Sequence, residues 1–134
     1  FEHLSIRPET VIYDLGCGKG DILFAAEKRG AKKLVGFELS PLHVWYIRLK
    51  ALIIRSKVKV HRSDFFGADI SEADVIYLFL VKKIVQKLWP KIKTEAKRGV
   101  RVVVLCDAAP DHVPGEVIEL DKKIGSKLYL YTIL

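Results

Sequence analysis

The sequence predicts a doubly wound α/β fold, with five parallel strands alternating with helices and a C-terminal antiparallel hairpin. Three observations predict it. Apolar runs of strand length alternate with segments of helical periodicity along all 134 residues. The run at 75–81 (VIYLFLV) is apolar at every position, as strands buried on both faces are. The first run ends in three closely spaced glycines, Gly16, Gly18 and Gly20, that open a helix.

Val11–Leu15 reads as a buried strand ending at Gly16, and Asp21–Arg29 as a helix stopped by Gly30. Lys33–Glu38 is the second strand. Ser40-Pro41 starts the second helix, since serine caps and proline suits the first helical position. That helix is expected to reach Ile54 and to carry Leu42, Trp45, Leu49 and Leu52 at helical spacing, with Trp45 packed on the sheet. Val58–Arg62 and Ala73–Leu80 follow as strands, the latter with Phe79 and Leu80 in the core. Lys83–Lys97 is helical, Pro90 is expected to divide it, and Gly99 closes it. Val100–Cys106 is the fifth strand. After a proline-containing loop at 109–115, Val117–Leu120 and Leu128–Ile133 form the hairpin, with Gly125-Ser126 in its turn. Ligands of such sheets bind beyond the carboxyl ends of the strands.

The size and composition bound what this fold belongs to. Residues 1–134 are expected to form a single domain, and 50% hydrophobic against 29% charged residues is the balance of a folded globular chain. No run approaches the roughly 20 apolar residues of a membrane span, and no secretory leader is visible. The chain starts at Phe1 and holds no methionine, so its natural start, with an N-terminal segment, is expected upstream. Two cysteines, Cys17 and Cys106, are too few for a disulfide scaffold or a structural zinc site. No disulfide and no metal are expected, and a reducing, cytoplasmic setting follows as the default. The absence of Asn and Met, with a single Gln at Gln86, points to a thermophile. The net charge of +7 is consistent either with a solvated face or with attraction to nucleic acid or acidic protein surfaces. A monomer is expected.

The strand ends carry the chemistry. In Asp14-Leu-Gly16-Cys-Gly18-Lys-Gly20 the glycines let the backbone turn sharply and approach a ligand. A dinucleotide fingerprint would place its third glycine at position 21, where Asp21 stands. Asp14 is also ill suited to a pyrophosphate and well suited to an ammonium group. Both features argue against a dehydrogenase. Glu38, about 20 residues beyond the glycines, can accept both ribose hydroxyl protons. Asp64 can accept from an exocyclic adenine amine, and Phe65 can stack on the base, whereas Phe66 is expected in the core. Asp14, Gly16, Gly18, Gly20, Glu38, Asp64 and Phe65 together describe an adenosine that bears an amino acid and no phosphate, S-adenosyl-L-methionine (SAM), with S-adenosyl-L-homocysteine as product.

DLGCGKGD, VGFELSP and RSDFF resemble the first three motifs of class I SAM-dependent methyltransferases, a seven-stranded Rossmann-like fold. YDLGCGKGD, FFGADISEADVIYLFL, LWPKIKTEAKRGVRVV and LYLYTIL resemble, more narrowly, the small archaeal broad-specificity protein-lysine methyltransferases. Their mitochondrial relatives, which act on lysines of the ATP synthase c-subunit and of the adenine nucleotide carrier, share the likeness. The resemblance implies transfer to lysine ε-amino groups of protein substrates. Three departures bear on the acceptor. The chain starts too late to contain the family's Tyr-x-Pro segment before the first strand, and Leu105-Cys106-Asp107 stands where a His-Glu pair is usual. His112, two residues before Pro114, stands where a Trp is frequent.

Methyl transfer is an in-line displacement, for which a protein supplies alignment and dryness. A lysine acceptor must first lose its proton from a pKa of about 10.4. Asp107 and Tyr77 are the candidate catalytic residues, and Asp111, His112, Phe79 and Leu80 are further candidates for the acceptor side. His43 and Trp45 could border the cofactor, and Cys17 reads as a small filler of its turn. Leu80-Val81-Lys82 replaces the Asn/Asp-Pro-Pro-aromatic signature of methyltransferases acting on amide or base nitrogens. Arg48, Lys50, Arg55, Lys57, Lys59 and Arg62 keep RNA open as a partner, so an RNA or small-molecule methyltransferase, or a non-catalytic SAM-binding module, stands as the alternative.

Overall fold

The computed structural model describes residues 4–105, 107–109 and 111–134. The strands number seven among these residues, paired parallel and antiparallel within their units. The chain divides into two compact units, Phe1–Ala68 and Asp69–Leu134.

The first unit holds β1 (Val11–Leu15), α1 (Asp21–Lys28), β2 (Lys33–Phe37), α2 (Pro41–Ile53) and β3 (Lys59–His61). β1 pairs parallel with β2, Asp14 facing Gly36, and β2 pairs parallel with β3, Phe37 facing His61. The apolar run of β1 buries Ile12, Tyr13 and Leu15, and α1 returns Leu23, Phe24 and Ala26 to the same core. Gly30, at φ +91°, ends α1, and its N–H donates to the Glu27 carbonyl. Ser40 caps α2 as expected, its Oγ accepting from the His43 N–H at 3.4 Å. The far end of α2 turns on Arg55, a non-glycine residue at φ +53°.

The sheet-facing side of α2 differs from expectation. Val44, Ile47 and Ala51 are its buried residues, whereas Leu42, Trp45, Leu49 and Leu52 point outward and Trp45 is 63% exposed. The physical reason is close packing. Ile47 sits where Gly20 has no Cβ, and one placed there would lie 3.2 Å from Ile47 Cδ1. The face bearing Val44, Ile47 and Ala51 approaches where the stripe of Leu42 and Trp45 would not.

The second unit holds β4 (Val75–Leu78), α3 (Lys82–Glu95), β5 (Arg101–Leu105), β6 (Glu116–Asp121) and β7 (Ser126–Thr132). β4 and β5 are parallel, and β5–β7 and β6–β7 antiparallel, so the terminal hairpin forms. Val75, Ile76, Leu78 and Val102–Val104 are all buried, matching the unbroken apolar runs. Ser126 opens β7 instead of standing in the turn, which Gly125 takes at φ +71°. β4 ends at Leu78, and Phe79, expected in the core, is 59% exposed beyond it. Pro90 does not divide α3, which runs unbroken for 14 residues. Proline removes only the hydrogen bond to the Gln86 carbonyl, and both residues lie on the exposed side of the helix, where water can replace it. Among the described residues no helix is long and apolar enough to cross a membrane.

Candidate cofactor site

The site is built where β1 and β2 end side by side. Gly16 and Cys17 both donate their N–H to the Phe37 carbonyl, at 2.9 and 3.1 Å, so the turn after β1 is stitched to the last residue of β2. Gly16, Gly18 and Gly20 all have positive φ, at +81°, +54° and +77°. Side chains rarely adopt this conformation, so the three glycines are what permits the turn. Gly20 is the N-cap of α1.

Glu38, the residue after β2, is held by backbone amides. Its Oε2 accepts from the Gly18 N–H at 2.8 Å, and its Oε1 accepts from the Leu39 and Ser40 N–H groups, each at 3.0 Å. The carboxylate therefore ties the glycine turn to the end of β2. Asp14 lies beneath the turn, 3% exposed, and its Oδ1 has no hydrogen-bond partner. Burial, and secondarily the negative Glu38, pushes its pKa up to about 8. Cys17 is also buried, and burial followed by the charges of Asp14 and Glu38 raises its thiol to about 12. It is a free, protonated thiol that fills the turn; Cys106 lies outside the described residues.

Gly36 belongs to the site as well, although glycine spacing does not mark it. A Cβ there would lie 2.6 Å from Cys17 Sγ and 2.8 Å from Leu23 Cδ1, so this glycine lets turn and helix seat on β2. A glycine inside a strand pattern was the available signal. Asp64 stands three residues past β3 and caps a 3-10 turn, Phe65–Gly67, with Oδ1 accepting from the Phe66 N–H at 2.9 Å. This turn leaves Phe65 half-buried and Phe66 39% exposed, their ring centroids 5.1 Å apart, so Phe66 is not a core residue.

The acceptor-side candidates belong to the second unit. Tyr77 is buried within β4, opposite Val103 of β5. Asp107 is exposed in the bend after β5, and Asp111 is exposed at φ +59°. His112 is half-buried, its ring 4.8 Å from that of Trp89. The segment is pinned from β7, the Tyr131 Oη accepting from the Ala109 N–H at 2.8 Å. Among the described residues no group of three or more His, Cys, Asp or Glu side chains could hold a metal ion.

Residues 14–116 match the family model of the ANTKMT methyltransferase domain. The chain belongs to this methyltransferase family. It is 32% identical to a protein-lysine N-methyltransferase of Saccharolobus islandicus, over 98% of this chain and 84% of that one. It is also 32% identical to the human lysine N-methyltransferase named for the ATP synthase C-subunit, over 81% of this chain and 48% of that protein, and so spans about half of its length. Among solved structures, an RNA methyltransferase of Salinibacter ruber in complex with S-adenosyl-L-homocysteine superposes with a TM-score of 0.89 at 32% identity, covering 98% of this chain and 86% of that one. The seven-stranded methyltransferase fold and SAM as cofactor, both read from the sequence, hold.

The residues present fit SAM on two observations. Asp14 offers a buried oxygen with no partner, which an ammonium group would satisfy. Gly18 has open space where a Cβ would stand, with no atom within 4 Å, so a ligand can lie against its backbone.

Proposed function

We propose that the chain transfers methyl groups from SAM to lysine ε-amino groups of protein substrates. When bound, SAM supplies a sulfonium-activated methyl group. In this reading Asp14 takes the ammonium end, and Gly16, Gly18 and Gly20 give close backbone approach. Glu38 accepts from the ribose hydroxyls, and Asp64 and Phe65 border the adenine. Asp107 and Tyr77 stand on the acceptor side, where a carboxylate can take the proton an incoming ammonium must lose and a phenol can relay it by passing on its own. The observation that carries the donor half is the partnerless Asp14 oxygen beneath the glycine turn. The acceptor half is supported by likeness to proteins named for lysine methylation. The chain is further read as one catalytic domain, acting as a monomer in the cytoplasm.

One observation favours a second reading. The Salinibacter ruber protein is named an RNA methyltransferase, and this chain carries a net charge of +7. One experiment separates the two. The protein is incubated with methyl-labelled SAM and a heat-treated cell lysate, and the product is divided between protease and ribonuclease. Label released by protease and recovered as methyl-lysine is the expected result. Label released by ribonuclease would move the acceptor to RNA. SAM binding with no transfer to either would leave a non-catalytic binding module.

A further inference from the structure

Helix α2 has two apolar faces, and only one is used by the fold. Val44, Ile47 and Ala51 are buried. Leu42, Trp45, Tyr46, Leu49, Leu52 and Ile53 are between 40% and 77% exposed. At 3.6 residues per turn these six form one continuous stripe, roughly a third of the helix circumference wide, opposite the buried side. Arg48 and Lys50 border the stripe on its two sides. Both are braced, Arg48 by a hydrogen bond to the Val60 carbonyl at 3.2 Å and Lys50 over the Phe24 ring at 4.4 Å. Beyond the helix, Arg55, Lys57, Lys59 and Arg62 are all exposed, and no carboxylate occurs from Leu39 to Ser63.

We propose that this face of α2 is a peripheral docking surface for anionic lipid bilayers. The inference is independent of the methyl acceptor. An interfacial helix presents aliphatic and aromatic side chains along one face, with cations on its borders to meet headgroups. Trp45 and Tyr46 lie within the stripe, and both residue types favour the polar–apolar boundary of a membrane. The cations spread over α2, β3 and the loops beside them. Such a field matches a continuous negative surface better than a single acidic groove. A second copy of the chain would bring the same cation border against itself. RNA would use the cations and aromatic rings but gain nothing by stacking on Leu42, Leu49, Leu52 and Ile53.

The test is co-sedimentation of the full chain with phosphatidylglycerol vesicles and with phosphatidylcholine vesicles. Expected is binding to the anionic vesicles that weakens as salt is raised, with little binding to the zwitterionic ones. The double variant Leu49→Glu/Leu52→Glu is expected to lose binding by about tenfold or more. SAM affinity and melting temperature should stay at wild-type values, because both side chains lie outside the core and the cofactor turn. Ile124→Glu, an equally apolar-to-acidic change in the hairpin turn, should bind like wild type. No sedimentation with anionic vesicles would overturn the proposal, as would equal binding by the double variant. A wild-type dimer that the double variant dissolves would assign the face to a second copy. Salt-sensitive RNA binding lost in that variant would assign it to nucleic acid.

Discussion

Asp14 is where the physical chemistry of the site is most exposed to test. A buried carboxyl with a pKa of about 8 is mainly protonated at neutral pH. Pairing with an ammonium group requires the carboxylate. SAM binding below pH ~8 is therefore expected to expel a proton, and affinity should rise as pH approaches that value. Calorimetry in two buffers of unlike ionisation enthalpy reads the proton directly. Asp14→Asn should remove the buffer dependence and weaken SAM by about tenfold or more, about 1.4 kcal/mol. Equal heats in both buffers for the wild type would refute this role. The glycines make a second, contrasting pair. Gly18→Ala meets no neighbour, so its cost to folding is the left-handed strain of about 1–2 kcal/mol, while its methyl group enters the open space proposed for the ligand. Gly36→Ala drives a carbon into Cys17 and Leu23, and is expected to cost about 1–3 kcal/mol in urea unfolding. The measurement that separates them is the ratio of lost SAM affinity to lost stability, high for Gly18→Ala and low for Gly36→Ala.

At the scale of elements, what the sequence disclosed was what is local. Alternating periodicity revealed the strand and helix order, and Ser40-Pro41 marked the start of α2 because capping involves residues three apart. The glycine turn was legible since positive φ restricts residue type. The inward face of α2 was not, because two stripes at the same period compete and the choice depends on Gly20 and Ile47, distant in sequence. Pro90 misled for a related reason. Its effect depends on whether the orphaned Gln86 carbonyl faces solvent, which requires knowing how α3 lies. The tie between Tyr131 and the Ala109 amide, across 22 residues, left no sequence signal. It makes β7 a support for the segment after β5, where Asp107 and Asp111 lie. Tyr131→Phe keeps the ring packed on Trp89, 4.9 Å away, and deletes only the acceptor oxygen. A loss of about 1–3 kcal/mol is expected, with hydrogen exchange rising at Ala109 before it rises in β5. Exchange unchanged at Ala109 would show that the segment is held by other contacts.

For the molecule as a whole, Asp14 makes global stability a function of pH. The folded carboxyl is raised from 3.8 to about 8, so the folded chain holds its proton more tightly than the unfolded chain does. Its stabilising contribution is fully present below about pH 3.8 and declines until pH reaches about 8, above which it changes no further. Other groups add their own pH dependence, not least because the net charge of +7 grows as carboxylates and histidines protonate in acid. Asp14→Asn isolates the contribution of this carboxyl, since it removes a titrating group and keeps the shape. The variant should match the wild type in acid, become progressively more stable than it as pH rises, and hold a constant advantage above about pH 8. SAM narrows that advantage, because a ligand that binds only the folded state stabilises by mass action and the variant, binding it about tenfold more weakly, gains about 1.4 kcal/mol less from it. Chemical denaturation across pH, with and without SAM, checks both halves. An advantage that does not vary with pH would mean that Asp14 is not the buried acid described, and an advantage that saturating SAM leaves undiminished would mean that its charge is not used on the ligand.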